Sequence, residues 1–369
     1  MKKHILKLGI VLSMLLFFGA KNLFAQNTET IQKQVDNQKK IAVVGYATAN
    51  YFSKGGNGGF ISSTFNPIFV YRPTNRLSFN AELEIEVADA QEWDGAVALE
   101  FAELAYELNN NMTFYAGKFL SPIGTYQQRY HPAWINKSIN NPIGIQNEVN
   151  GIKRLQGDSE IGMGLKGGFY AGNSRLNYNV YITNGPKLND DGSVNWDNVG
   201  MDNNNSPAVG GRIGILPFAN STFEVGISGY RGKAGDKTAY SNVNVTLFAL
   251  DLNYVKHTDF GKFDIKGQYN NQKVSDGVYP GTKVAFQPFN NTTSASYLQL
   301  AYRFPNSKLE LVNRIANFNV PNQVTWGADQ TRFTTGLDYW ISWNTVFKFG
   351  VDFANNDATG IGFTFAMGL

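Results

Sequence analysis

Beyond its first 25 residues the chain has two histidines, His131 and His257, and neither neighbours a serine-containing signature that would pair a nucleophile with its base. With no cysteine and no two histidines at ligand spacing, the residues for a transition-metal centre are missing. Asp190, Asp191, Asp197 and Asp202 share one Asn- and Asp-rich stretch, which could hold calcium weakly and which ordinary turn chemistry explains equally well. GMGLKG, residues 162–167, matches G-x-G-x-x-G, but it lies within EIGMGLKGGFYAG, a strand pattern, and not at a strand-to-helix junction. What remains is fixed charge. Glu82, Glu84 and Glu86 alternate along one segment, with Glu100 or Glu103 on the next. Arg129, Lys137, Lys153 and Arg154 share one long stretch, and Lys166, Arg175 and Arg212 follow on later segments. Such groups sort and steer ions without forming bonds to them. The reading is of a protein that is not an enzyme and has no cofactor or metal site.

These charges need a frame, and the hydropathy supplies one of period two. LSFNAELEIEV sets Leu77, Phe79, Ala81, Leu83, Ile85 and Val87 on one face against Ser78, Asn80, Glu82, Glu84 and Glu86. KFDIKGQYNNQ repeats the division, and GIGFTFAMGL gathers Ile361, Phe363, Phe365, Met367 and Leu369. Segments of this length span a bilayer as tilted barrel strands, with one face for lipid and the other for water. Tight-turn sequences at 72–75, 109–111, 172–174, 218–221, 258–261, 305–307 and 342–344 alternate with longer links at 53–64, 89–96, 120–158, 184–207, 231–242, 274–293, 319–330 and 354–358. The sorting by parity predicts an all-β fold. It is a transmembrane antiparallel β-barrel of about 16 strands, with short periplasmic turns and longer extracellular loops. In VALEFAELAYEL the phase slips between Phe101 and Leu104, which predicts a bulge.

Three regions are expected. Residues 1–25 carry Lys2, Lys3 and Lys7, then an apolar stretch to Phe18 and an Ala25–Gln26 junction, and read as a secretory signal peptide. Residues 26–40 form a polar, flexible periplasmic leader, and 41–369 the outer-membrane barrel. Without residues 1–25, which hold Lys2, Lys3, Lys7, Lys21 and no acid, the 32 basic side chains fall to 28 against 29 acidic ones. The net charge of +3 becomes about −1, and nucleic acid loses its electrostatic attraction as a partner.

GKFLSPIGTYQQRYHPAWINKSINNPIG, residues 117–144, breaks the alternation. It opens the longest link, 120–158. Pro122, Pro132 and Pro142 stiffen it, and Tyr126, Tyr130 and Trp134 can pack it against a wall. A barrel of this size holds a water-filled lumen. The stretch is expected to fold inward as the pore constriction, facing Arg129, Lys137, Lys153 and Arg154 toward Glu82, Glu84 and Glu86.

FYAGKFLSPIGTY, residues 114–126, and the preceding LEFAELAYEL strand resemble the phosphate-selective porin O/P family of outer-membrane channels. The resemblance implies sixteen strands, a homotrimer, and passive uptake of solute past basic residues. Alternation puts Lys166, Arg175, Arg212, Lys266, Arg303, Arg314, Arg332 and Lys348 on lumen faces, dispersed and without the family's arginine ladder or lysine cluster. The expected function is an integral outer-membrane porin. It would be surrounded by lipid and pass small hydrophilic solutes or ions, anions such as phosphate among them. The alternative is a barrel that serves mainly as anchor or adhesin, its extracellular loops binding a partner.

Overall fold

A computed structural model describes residues 40–369 except 89–95, 147, 149–150, 190, 198–199, 219–221, 236–240, 276–290, 323 and 356. The expected signal peptide and leader fall outside the described residues, except that Lys40 is the first residue of a strand. The strands are β1 Lys40–Lys54, β2 Asn57–Arg72, β3 Leu77–Ala88, β4 Ala96–Asn109, β5 Met112–Leu120, β6 Ser159–Ala171 and β7 Ser174–Thr183. After a small pair, β8 Lys187–Leu188 and β9 Val194–Asn195, come β10 Ala208–Leu216, β11 Phe223–Lys233, β12 Asn244–Thr258, β13 Gly261–Ser275 and β14 Asn291–Arg303. β15 Leu309–Asn319, β16 Gln330–Trp340, β17 Thr345–Ala354 and β18 Asp357–Gly368 complete the set.

All but β8 and β9 pair antiparallel with their sequence neighbours. The ladder between β1 and β18, from Tyr46 opposite Gly368 to Lys54 opposite Gly360, closes them into one barrel of 16 strands. Closure leaves no edge, so strand pairing satisfies the backbone around the whole wall. No helix among the described residues is long and apolar enough to cross a membrane, a criterion that does not bear on barrels.

The alternation read from the sequence is the division between the faces. Leu298, Leu300, Ile315, Phe333, Phe349 and Phe363 stand exposed on the outer wall, while their strand neighbours Gln299, Arg314, Thr334 and Lys348 are buried inside. Aromatic contacts gather toward the short turns: Phe223 with Tyr254, Phe263 with Tyr302, and Tyr302 with Phe304, at 6.1, 5.0 and 5.0 Å between centroids. An apolar band edged by aromatic rings is the surface that hydrocarbon and its interface cover.

Three details differ from the sequence reading. The links expected at 53–64 and 354–358 are tight hairpins, because β1 and β2 continue to Lys54 and Asn57, and β17 and β18 to Ala354 and Asp357. Gly55 and Gly56, at φ 58° and 87°, supply the left-handed conformations that a two-residue turn between strands needs. The bulge lies slightly earlier than expected: Phe101 opposes Glu82 and Leu99 opposes Leu83, so Glu100 is the extra residue.

Gly117 has φ 121°, and a Cβ there would fall 2.3 Å from the carbonyl oxygen of Ala102 on β4. Gly117→Ala should therefore destabilise the barrel by about 1–3 kcal/mol. The temperature at which the folded, fast-migrating band converts to the unfolded one in an electrophoretic gel measures this. An unchanged midpoint would show that the close approach is relieved at no cost.

Candidate functional site

Between β5 and β6 the chain turns inside. The N–H of Ser121 donates to the carbonyl oxygen of Asp158 at 2.9 Å, tying the two ends of the segment together. Gly124, at φ 63°, bends the chain where a Cβ would strike the Gln268 side chain at 2.2 Å. Its N–H donates to Ser228 Oγ (3.0 Å), and the next two, of Thr125 and Tyr126, to Gln268 Oε1 (3.2 and 3.3 Å). One helical turn, α1 (Tyr126–Arg129), follows. Tyr126 is buried with its ring edge-on to Tyr297 at 5.6 Å, and burial pushes its phenol up to about 12 against the opposing pull of Arg314. The partners lie on the inner faces of β11, β13 and β14, so the segment is inside the barrel.

Its basic side chains are anchored by acids of the wall. Arg129 makes a two-pronged contact with Glu224 on β11, Nη1 to Oε2 at 2.5 Å and Nη2 to Oε1 at 3.2 Å. Arg212 reaches the same carboxylate at 2.9 Å and Asp251 at 2.6 Å, bringing two of the expected basic residues to one acid. Lys137, only 7% exposed, lies 2.5 Å from Glu310 Oε1 and 3.0 Å from Asp264 Oδ2. Burial alone would lower its amine, but the two carboxylates outweigh that and hold it above its ordinary value. Glu310 also accepts from Trp340 Nε1 (2.8 Å) and Arg303 (3.3 Å), and Lys266 is 2.7 Å from Asp264.

The rest of the segment continues around the same arc. Arg314 donates to Asn136 Oδ1 and to the carbonyl oxygen of Asn140, both at 2.6 Å, and Asn140 Nδ2 donates to Asp352 Oδ1 at 3.0 Å. Lys348 donates to the carbonyl oxygens of Ala133 and Asn136. Ile139 packs on Gly350 and Gly362, and Trp134 on Gly368, where glycines leave the room. Ile143, Ile145, Ile152 and Leu155 are buried with Val245, Leu247 and Ala249 of β12 and Phe318 of β15. Apolar groups on the inner face of a water-filled barrel would be costly, and the segment that covers them removes that cost.

His131 ends this inner turn with Nδ1 against the Gln127 carbonyl oxygen and its ring edge-on to Tyr46 of β1 at 6.4 Å. Burial lowers its pKa, overriding the upward pull of that carbonyl and of the charge on Glu100. A histidine held neutral in the fold binds its proton more readily when released, so stability present at neutral pH falls as pH drops below about 6.5. Protease cleavage within 121–158 should therefore speed up between pH 7.5 and 5.5, and the increase should vanish in His131→Phe. A pH response retained by that variant would assign it to another group.

The other expected residues lie elsewhere. Arg154 contacts Glu148, Asp158 and Asp197 where the segment returns toward β6, and Lys153 is half-buried beside it. Lys166 is 2.6 Å from Glu103, with its amine 4.7 Å from the Tyr115 ring centre. Arg175 is exposed beside the 172–173 turn. The acids that Arg129 and Lys137 touch are thus Glu224, Asp264 and Glu310, which the sequence reading did not single out. Glu82 is buried and accepts from Asn66 Nδ2 at 3.4 Å, with Glu84 and Glu100 close by. Glu86 continues the row, half-buried. Among the described residues the segment makes no hydrogen bond or ion pair with β2, β3 or β4, and no three acidic or histidine side chains form a metal site; Asp190 lies outside them.

No family model matches the chain. An uncharacterized protein of Aquifex aeolicus is 27% identical over 155 residues, 41% of this chain and 33% of that protein, so the match spans a third of the relative's length. Among solved structures, an anion-selective porin from Comamonas acidovorans aligns over 90% of this chain and 100% of its own, with TM-score 0.59 and 12% identity. OmpT of Vibrio cholerae, an outer membrane protein solved in a trimer form, aligns over 90% and 99%, with TM-score 0.53 and 12% identity. At this identity the likeness is one of fold: a porin-type barrel.

Proposed function

We propose that the protein is an outer-membrane porin, a passive channel for small hydrophilic solutes, in which residues 120–158 narrow the pathway. The observation that carries this reading is a closed 16-strand barrel, apolar outside and charged within, whose longest link is bonded along the inner wall from β11 round to β1. An adhesin displays its long loops to partners, and this one is turned inward. The proposal includes export by a signal peptide in residues 1–25, a periplasmic leader, a lipid-covered outer wall and assembly as a homotrimer, which the porin-type fold supports. Phosphate specificity is left out of it, because the basic residues that the family resemblance would enlist, Lys137, Arg212 and Lys266 among them, are buried against acids.

Purified protein added to a planar lipid bilayer should produce stepwise increases in conductance. Protein that folds and inserts yet gives no steps would refute the channel reading and leave a barrel with a closed interior.

A further inference from the structure

We infer that the passage beside β3 and β4 selects small cations, and that Glu84, Glu86 and Glu100 set this sign. The inference deepens the channel reading and rests on it. It follows from the fixed charges that stay uncompensated with the inner segment in place.

Basic side chains of the interior are in good part compensated or sealed off. Among the described residues Arg314 and Lys348, 2% and 1% exposed, are bonded only to amide and carbonyl oxygens beneath and within the inner segment. Arg129 shares Glu224 with Arg212, and Arg212 has Asp251 as well; Lys137 lies between Asp264 and Glu310; Lys166 is matched by Glu103. The row on β3 and β4 differs. Among the described residues Glu82, Glu84, Glu86 and Glu100 have no ion-pair partner, although alternation and the bulge at Glu100 bring them to one side of the wall. Like charges this close raise each other's energy, and a mobile cation is what relieves it.

Position supports the same sign. Apart from Gln128 on the Leu120 carbonyl oxygen at the end of β5 and Arg154 on Asp197 in the link before β10, the bonds of the segment to the rest of the barrel fall on β11 to β17, and its contact with β1 is the His131 ring; among the described residues it makes no hydrogen bond or ion pair with β2, β3 or β4. Solute passing the segment therefore moves along the acidic row. Independently, Asn66 is 1% exposed, donates to Glu82 through Nδ2, and leaves Oδ1 with no protein partner. A buried amide oxygen next to carboxylates is a ligand for a cation and offers nothing to an anion.

The test is the reversal potential of the purified protein in a planar bilayer under a KCl gradient. The expected K⁺ to Cl⁻ permeability ratio is about fivefold at low salt, shrinking toward one near 1 M as screening shortens to about 3 Å. Glu84→Gln, Glu86→Gln and Glu100→Gln together should bring the low-salt ratio close to one. Glu86→Lys alone, a milder change to the wall, should lower it by at least half. A conducting wild type with a ratio at or below one would overturn the inference and leave the channel reading intact. So would a conducting triple variant that keeps the wild-type ratio. A folded, inserted wild type that never conducts would overturn the channel reading itself, and the inference with it.

Discussion

Removing residues 126–150 should raise single-channel conductance about threefold, with the barrel still folding and shifting on heating. The deletion takes out α1, the His131–Trp134 turn, Lys137 and Ile143, which fill the interior between the tie at Ser121 and the return toward Asp158. The wall that remains keeps its ladders from β1 round to β18. Its cost is the uncovering of Val245, Leu247 and Phe318 on the inner face, so a lower thermal midpoint should accompany the wider pathway. Bilayer recordings on refolded protein measure the first effect and gel mobility after graded heating the second. Conductance equal to that of the intact chain would mean that the segment does not limit passage, and its prolines and rings would be packing alone.

Lys137→Ala should destabilise the docked segment by about 3 kcal/mol, whereas Arg154→Ala should cost at most about 1 kcal/mol. Burial separates the two cases. Lys137 and its partners Glu310 and Asp264 are 7%, 0% and 5% exposed at the side chain, so removing the amine leaves carboxylates that water cannot reach. Of the three acids on Arg154, Glu148 and Asp197 are 40% and 57% exposed and solvated in its absence, and Asp158, 20% exposed, keeps the Gln127 amide as a partner. Lys266, Arg303 and Trp340 still hold part of the Lys137 pair, which keeps its cost at the low end for a broken buried ion pair. Urea titration followed by limited proteolysis of 121–158 compares the variants. Equal losses would show that the buried carboxylates find other partners.

The barrel was legible because its period is set by lipid on one side and water on the other, and Leu77 to Val87 or Ile361 to Leu369 state that division residue by residue. Strand ends were less so, since a strand that continues past the membrane into Gly55–Gly56 has no apolar face to announce it. The direction of the segment could be read from its prolines and aromatics, but its partners could not. Those depend on which of many inward acids on β11, β13 and β15 meets a given lysine, and sequence spacing carries no information about that. One signal was there to use. NVTLFALDL, in β12, is apolar at Val245, Leu247 and Ala249 as well as at Phe248 and Leu250, and a strand apolar on both faces needs a cover on the inside. A bulge was visible as a break in phase, read between Phe101 and Leu104, while its place at Glu100 and the gathering of Glu100 with the β3 acids depend on the register with β3.

The contacts of the inner segment reach far along the chain: Lys137 to Glu310 spans 173 positions and Asn140 to Asp352 spans 212. None of those partners has been synthesised when the segment itself is complete, and they are gathered on one wall only after the later strands have paired. The two ends of the segment are also tied to each other by the Ser121–Asp158 hydrogen bond where it leaves β5 and returns to β6, so it can swing in from the mouth after the wall has formed. Assembly therefore has a natural order, wall first and filling second, with the slow closure of distant pairs deferred to the end. A newly inserted barrel would pass through a stage in which it is sealed against lipid and still wide open to water.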